Sequence, residues 1–414
     1  AVLQEPVRSR MIAARHELEQ LLEQPGVRFV GRLADRAEYL RHLAAAEVWA
    51  YPCTEGELCC KVALEAQALG VIPVVWPTMA LQETVEERFH VPGSNLNVFA
   101  DCVAGTFARV EAARETLSET RSRIYSWQNV ADFVWAQAAE KLEGPVQPVS
   151  MPKPAESEDA KPGLPERFTI PRPHQIGRYK LDLLMHVNGM PFDGQTDRVK
   201  GLGGSETAAL QLARALVNRG HHVTIFSNCD QPGKFDGVTY IPLGEYPRYV
   251  GCTPHDVCVV QRDPVPFNMP PASKLNVLWM HDLGLHRHGG RVRSSLWNVD
   301  YVVPVSHWHG RQLCQVYGLR PENVVPMRNG IERDRVRPKG LHEGPKNRKA
   351  LVYAARPERG LDLLLERVFP KLLERDPDLV LHLAGYDNTT PEMQAFYNHC
   401  WSLAAGYGER VKRV

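Results

Sequence analysis

The chain has 414 residues, enough for two or three domains. Its formal net charge of +1 gives no bulk attraction to nucleic acid or an anionic membrane, and no apolar run approaches the ~18 residues of a membrane-spanning helix. Nine cysteines, an odd number without a repeating frame, fit a reducing compartment better than a disulfide scaffold.

The first third of the chain predicts alternating helices and strands. In order they are a helix over 5–24, a strand over 27–33, a helix over 34–46, a strand over 47–52, a helix over 57–70 and a strand over 71–76. Strand, loop, helix and strand in succession indicate a parallel sheet, whose ligands bind at the carboxyl ends of the strands. The helix over 57–70 would carry Glu57 and Glu65 about 12 Å apart, a separation that suits opposite ends of one ligand.

The next stretch divides the chain. Residues 98–142 are predicted to be largely helical, whereas residues 144–176 are rich in proline and charge. A segment of that composition cannot bury a core, so we expect an extended linker there.

The pattern restarts after the linker. A strand over 179–187 precedes a Gly-rich loop, Gly201–Glu206, which opens a helix to Arg219 and leads to another strand. A nicotinamide-binding loop is disfavoured because the spacing is not Gly-x-Gly-x-x-Gly and no acid ends the second strand. Further strands, most of them followed by polar residues, are predicted over 256–262, 276–282, 301–308 and 379–385, and residues 350–362 are predicted as a strand, a loop and the start of a helix.

Four runs of the first part carry a family resemblance. Val27–Leu33, Ala46–Pro52, Glu57–Gly70 and Ile72–Val75 resemble the nucleotide-sugar half of family-4 retaining glycosyltransferases of the GT-B fold. The resemblance implies an α/β protein with Rossmann-like parallel-sheet domains. It also implies that Glu57 is catalytic and lies beside the transferred sugar, and that Glu65 binds the ribose hydroxyls of the donor. The alternative without a function is that both acids are solvated side chains on an amphipathic helix.

The second part resembles the acceptor half of the same family and the start of a donor half. The resemblance places Gly203 and Gly204 near the donor phosphate and makes His281 a catalytic residue near the reacting carbon. It implies that Arg356 and Arg359 bind the donor diphosphate, with Arg359 at the position where the family has lysine. The alternatives are a structural histidine at 281 and a surface ion pair between Arg356 and Glu358.

The order of these halves predicts a fragment of a tandem pair. Residues 1–143 would be a truncated donor half of one unit, 144–176 the linker, 177–335 the acceptor half of the next unit and 336–414 the start of its own donor half. Residues 391–414 correspond in layout to residues 6–30, which supports this division. In the rival layout residues 1–143 fold back and complete the second unit, but the duplicated helix and strand then have no place.

We therefore expect a retaining glycosyltransferase that needs no metal and no cofactor and acts on a nucleoside-diphosphate sugar in a cleft between two domains. The expected partners are that donor and a glycan or lipid-linked acceptor, as in polysaccharide biosynthesis, and not nucleic acid. The expected location is the cytoplasm, with the inner face of the membrane as a further option. The alternatives are a nucleotide-sugar epimerase, which would convert donor without acceptor, and a non-catalytic carbohydrate-binding module.

Overall fold

The computed structural model describes residues 27–31, 36–54, 56–120, 126–143, 180–199, 201–269, 271–332, 346–384, 394, 396–400, 402 and 411–413. The helix expected over 5–24 and the linker expected over 144–176 lie outside these residues. The chain divides into two compact units: unit 1 combines residues 1–124 with 333–414, and unit 2 comprises residues 125–332.

The strands within the described residues are β1 (Val27–Gly31), β2 (Ala46–Tyr51), β3 (Ile72–Val75), β4 (Asp182–Val187), β5 (His222–Ser227), β6 (Gly233–Phe235), β7 (Val238–Pro242), β8 (His255–Gln261), β9 (Ser273–Met280), β10 (Tyr301–Pro304), β11 (Asn347–Ala354), β12 (Val380–Ala384) and β13 (Val411–Arg413).

The helices within the same residues are α1 (Arg36–Ala45), α2 (Lys61–Ala68), α3 (Leu81–Thr84), α4 (Leu96–Ala108), α5 (Val110–Thr120), α6 (Trp127–Glu143), α7 (Thr196–Val199), α8 (Gly204–Val217), α9 (Tyr246–Tyr249), α10 (Gly289–Ser295), α11 (His307–Tyr317), α12 (Leu361–Leu363) and α13 (Phe369–Arg375), the last two joined by the π-helical segment Leu364–Val368.

Unit 1 is built on a parallel sheet with the strand order β1-β12-β11-β2-β3. Its central strand, β11, pairs on one edge with β12 and on the other with β2, where Leu351 lies opposite Val48. Residues Ala350–Ala354 and all of β2 are buried. Near-continuous apolar runs of this kind are required where helices cover both faces of a parallel sheet.

The sheet of unit 1 combines strands from both ends of the chain, as in the rival layout in which the first segment folds back. The division into a tandem fragment stays a prediction. The Lys346 ammonium group, just before β11, donates hydrogen bonds to the carbonyl oxygens of Ala44, Ala46 and Leu69 at 2.9, 3.2 and 3.3 Å. Because β11 lies inside the sheet, the backbone N–H and C=O groups on both of its edges need hydrogen-bond partners, which β12 and β2 supply.

Helix α6, which ends at residue 143 where the sequence predicts a boundary, belongs to unit 2. This helix packs against α8, and Asp132 on α6 forms a bidentate ion pair with Arg219, with 2.7 Å between Nη2 and Oδ2. Trp127 and Trp135 on the same helix lie in the apolar core of unit 2. The helix therefore forms part of the apolar core of unit 2.

Two segments are registered on one edge of β12. Val27 of β1 and Val411 of β13 both lie opposite Leu381, while β11 holds the other edge of β12.

Unit 2 contains a sheet with the strand order β10-β9-β8-β4-β5-β7-β6, parallel except for the β6–β7 hairpin. An apolar core that includes α6 and α8 covers one face, and a second core that includes α10 and α11 covers the other. Both units are thus α/β with parallel sheets, which confirms the fold class expected from the sequence. Within the described residues, no helix is long and apolar enough to cross a membrane.

Gly360 provides a test of how unit 1 is assembled. It has a φ of +93°, and a Cβ added there would lie 2.4 Å from the carbonyl oxygen of Pro52, which follows β2. We expect Gly360→Ala to lower the free energy of unfolding by about 3 kcal/mol or more, because it combines left-handed strain with a backbone collision. Denaturant titration measures this loss.

Gly93→Ala is the matched control for that measurement. Gly93 also lies in unit 1 with a positive φ, of +70°, but an added Cβ would meet nothing within 4 Å. Its replacement should cost only the left-handed strain, about 1 kcal/mol. Equal losses in the two variants would contradict the close approach of Gly360 to Pro52.

Candidate functional site

Unit 1 has a topological switch point between β11 and β2. The crossover after β11 leads to β12 on one side, whereas the crossover after β2 leads to β3 on the other. Ligands of open α/β sheets bind outside the carboxyl ends of strands at such a point. Arg356 and Arg359 follow β11 there, and Glu57 follows β2.

Arg359 and Glu57 meet at this edge. The guanidinium Nη1 of Arg359 donates a hydrogen bond to the carbonyl oxygen of Gly56 at 2.6 Å and lies 3.7 Å from Oε1 of Glu57. The two side chains are 30% and 19% exposed, so both remain open to solvent. A cation and a carboxylate from distant parts of the chain therefore share one partly exposed site.

Glu57 is held from the strand side by Tyr51. The Tyr51 hydroxyl donates to Oε1 of Glu57 at 2.7 Å. Burial, and next the nearby Glu57 carboxylate, raise the pKa of Tyr51 well above its usual value, so the hydroxyl stays a donor at neutral pH. Tyr51 thereby fixes the carboxylate at the carboxyl end of β2.

Glu57 does not lie on a helix, which corrects the expected helix over 57–70. Residue 57 forms a parallel bridge with Met79, and its carbonyl oxygen accepts a hydrogen bond from Ala80 N at 2.8 Å. Helix α2 starts only at Lys61, so Glu57 and Glu65 are not eight helical residues apart. Because the backbone of residue 57 is paired with the segment containing Met79, it does not form the hydrogen bonds of a longer helix.

Glu65 is buried on α2 and engaged by protein cations. Its side chain is 1% exposed, pairs with Arg36 of α1, and has Lys61 Nζ at 3.6 Å from Oε1. The hydroxyl of Tyr39 lies 3.4 Å from Oε2. These contacts join α1 to α2, and they occupy the carboxylate that the resemblance assigns to ribose.

Arg356 lies at the same edge but pairs with Glu358. Its Nε lies 2.6 Å from Glu358 Oε1 and 3.1 Å from the Tyr397 hydroxyl. The Arg356 side chain is 47% exposed. The ion pair considered from the sequence is thus present, and the guanidinium still reaches solvent.

Unit 2 has its own switch point, between β4 and β8, and Glu206 is buried there. Oε1 of Glu206 accepts a hydrogen bond from Met190 N at 3.2 Å, and Ser205 Oγ donates to Oε2 at 3.0 Å. A Cβ on Gly203 would lie 2.3 Å from Oε2, and one on Gly189 2.1 Å from Oε1. Gly203 therefore makes room for this carboxylate, whereas a Cβ on Gly204 would meet nothing within 4 Å.

His281 follows β9 beside this point and contacts Gln261, the last residue of β8. The two Nε2 atoms are 3.0 Å apart. Burial, and next the charges of His309 and Arg262, lower the pKa of His281 to about 3. The imidazole is therefore neutral at physiological pH.

An ion pair and a second histidine support the His281 loop. Arg262, whose backbone has a φ of +71°, binds the Asp282 carboxylate at 2.6 and 3.1 Å. His309 Nε2 lies 2.8 Å from the carbonyl oxygen of Asp282 and Val305 N donates to its Nδ1, so Nε2 is the donor. A left-handed arginine beside a polar cluster is the kind of strain found at functional sites.

Sequence reasoning did not single out three residues that the structure places at these sites: Tyr51, Glu206 and Gln261. Their common signal is position, since each lies at the carboxyl end of a strand or in the first turn of a helix at a switch point. Within the described residues, no group of three or more histidine, cysteine, aspartate or glutamate side chains could hold a metal ion.

Comparisons with known proteins give a limited likeness. A crystal structure of a glycosyltransferase from Rickettsia africae ESF-5 is similar to this chain with a TM-score of 0.41 and 16% identity, over 56% of this chain and 67% of that chain. No family model matches the chain, and no curated protein does. A likeness of this size does not indicate an activity for this chain.

The buried histidine His186 on β4 generates a prediction about pH. It packs edge-on against Tyr246 with ring centroids 4.5 Å apart, and burial lowers its pKa from 6.5 to about 4. Between pH 6.5 and 4 the unfolded chain binds a proton there that the folded chain does not, so acidification destabilises the fold. We expect His186→Phe to reduce the dependence of the unfolding free energy on pH by about 1 kcal/mol per pH unit in that window.

Denaturant titrations at pH 7, 6 and 5 test this expectation. As pH falls from 7 to 5, the unfolding free energy of the wild-type protein should decrease more steeply than that of the variant. Parallel curves would show that His186 titrates equally in both states.

Proposed function

We propose that the chain transfers a sugar from a nucleoside-diphosphate sugar to a glycan or lipid-linked glycan acceptor. The supporting observation is the meeting of Arg359 and Glu57 at the switch point of unit 1, although they lie about 300 residues apart. The resemblance in the sequence assigns these residues to the donor diphosphate and the transferred sugar. Their proximity is what one activated sugar would require of them.

The charge of Arg359 suits the leaving group of this reaction. When the glycosidic bond to phosphate breaks, the nucleoside diphosphate gains negative charge, and a guanidinium group stabilises it. The hydrogen bond from Arg359 to the Gly56 carbonyl fixes its position before substrate binds. Arg356 contributes further positive charge at the same edge, so we propose that the leaving group is stabilised without a metal ion.

Glu57 suits the hydroxyl groups of a sugar. The Tyr51 hydroxyl donates to Oε1 of Glu57, and the Arg359 guanidinium lies near the same oxygen. Oε2 of Glu57 accepts no hydrogen bond from the described residues. A carboxylate oxygen in that state accepts from a sugar hydroxyl and orients the ring. We place Glu57 beside the transferred sugar and propose transfer with retention, as in the family that the sequence resembles.

In unit 2, we propose that His281 binds a substrate hydroxyl group and that Gly204 lies against a phosphate. A neutral imidazole binds a hydroxyl group without adding a charge, and Gly204 leaves its backbone open to close approach by a phosphate. We propose a cytoplasmic location, at the inner face of the membrane if the acceptor is lipid-linked.

A sugar-binding module without turnover is the second candidate, and two contacts favour it. Arg356 is paired with Glu358, and Glu65 is buried against Arg36, so two predicted donor ligands already have protein partners. Such a module would bind nucleotide sugars and release no nucleoside diphosphate.

Arg359→Ala tests the proposed transfer. The variant should lower kcat/KM for transfer by about 10²–10³-fold, because the charge that develops on the leaving phosphate loses its partner. Arg348→Ala is the control: Arg348 also lies on β11, but near its amino end, where it is 66% exposed and pairs with Glu111. Release of nucleoside diphosphate from a panel of donors measures the rate.

The same assay separates the alternatives. Donor conversion without acceptor would identify an epimerase, and donor binding without release of nucleoside diphosphate would identify the binding module. Equal rates for the Arg348 and Arg359 variants would contradict the role of Arg359.

Gly204→Ala tests the proposed phosphate approach in unit 2. The added methyl group meets no protein atom within 4 Å, so the unfolding free energy should not fall, while donor affinity should weaken about tenfold if a phosphate lies against this backbone. Isothermal titration with donor measures the change. Unchanged affinity would remove Gly204 from the site.

A further inference from the structure

Gln261 joins the Gly-rich segment to His281 through one amide group. Its side chain is 1% exposed at the end of β8. Nε2 donates to the carbonyl oxygen of Ser205 at 3.0 Å and lies 3.0 Å from Nε2 of His281. The amide therefore spans from the first turn of α8 to the loop after β9.

The Ser205 contact determines the direction of the His281 contact. A carbonyl oxygen only accepts hydrogen bonds, so the amide atom beside it must be the NH₂ group of Gln261. The second hydrogen of that group is directed to His281 Nε2, which must then accept. In a neutral imidazole the other nitrogen carries the proton, so His281 has the Nδ1–H tautomer.

Two further observations point to a role beyond packing. The carbonyl oxygen Oε1 of Gln261 is buried and has no hydrogen-bond partner, a state that costs about 1–3 kcal/mol. Nδ1 of His281 makes no hydrogen bond within the described part of the chain, and its ring lies against Trp279 with centroids 4.6 Å apart. The amide thus donates one hydrogen to Ser205 and the other to the ring, while Nδ1 of the ring remains a donor without a partner among the described residues.

The charged and titratable groups around His281 keep it neutral. Arg262 and His309 both disfavour a second proton on the ring, and the Asp282 carboxylate is occupied by Arg262. With protonation disfavoured, the remaining choice is between two neutral tautomers. Gln261 is the contact that makes this choice.

We infer that Gln261 is the positioning residue of His281: it holds the ring and selects the tautomer that presents Nδ1–H as a hydrogen-bond donor to a ligand oxygen. The inference rests on the proposed function for the identity of that oxygen, which would belong to the sugar or acceptor near the reacting carbon. The tautomer itself does not depend on the reaction. Gln261 touches neither substrate nor reacting atoms in this role.

The tautomer is measured by ¹⁵N NMR of histidine rings in the full chain at pH 7, without substrate, with His281→Asn used to assign the signal. We expect the His281 ring to show a protonated Nδ1 and an unprotonated Nε2. A protonated Nε2 in the wild-type protein would overturn the inference, whatever the activity of the protein.

Gln261→Glu changes the contact while keeping its shape. A carboxylate cannot donate to Nε2 and instead favours a proton there, so the His281 signal should change to protonated Nε2 and its pKa should rise. In the transfer assay kcat should fall about 100-fold with little change in KM, because the free donor is misplaced, and the rate should gain a new dependence on pH.

Gln312→Glu is the matched control. Gln312 is a glutamine whose amide oxygen and nitrogen bind N and O of Gly284, at 2.9 and 2.8 Å, and its amide makes no hydrogen bond to His281. It should lower stability in the same way as Gln261→Glu while leaving the His281 tautomer unchanged. An altered His281 signal in both variants would reduce Gln261 to a structural residue, whereas a correct tautomer with no transfer in the wild-type protein would overturn only the proposed function.

Discussion

The parallel pairing of β11 with β2 is the constraint on which unit 1 depends. It brings Lys346 and Ala44, 302 residues apart, within 2.9 Å and sets the carboxyl ends of the two strands side by side. Arg359 and Glu57 face one another only because of that register. Gly360 reinforces the arrangement, since its missing side chain lets the start of α12 approach Pro52.

The two switch points differ in their electrostatics. The site in unit 1 carries formal charges, with two arginines and Glu57 partly open to solvent. The site in unit 2 buries the Glu206 carboxylate among backbone and hydroxyl donors, pairs Asp282 with Arg262 and presents a neutral histidine. A leaving group that becomes charged suits the first environment, and the neutral hydroxyl groups of a sugar or acceptor suit the second.

The sequence predicts the elements better than their arrangement. Apolar runs such as Ala350–Ala354 predict buried parallel strands, and β11 is one. Periodicity does not show which strand lies next to which, so the pairing of β2 with β11 does not follow from the sequence. The predicted helix over 57–70 is longer than α2 because residue 57 is held by Met79, a partner that local propensity does not reveal.

The candidate sites show the same limit. Arg359 and Glu57 belong to recognisable motifs, so their roles were predicted from resemblance, and the structure shows that they are neighbours. Gln261 belongs to no motif, and its contact with His281 arises from the adjacency of β8 and β9. The partner of Glu65, Arg36, comes from another helix and could not be read from the spacing of the two acids.

The fold-back of β2 onto β11 has a consequence for synthesis on the ribosome. At about 5–20 residues per second, β2 emerges roughly 15–60 s before β11. During that interval the edge of β2 that pairs with β11 lacks its partner, while unit 2, which is contiguous from residue 125 to 332, completes its own sheet. Protection of the nascent amino-terminal segment by chaperones would therefore govern how much of the chain reaches the native state.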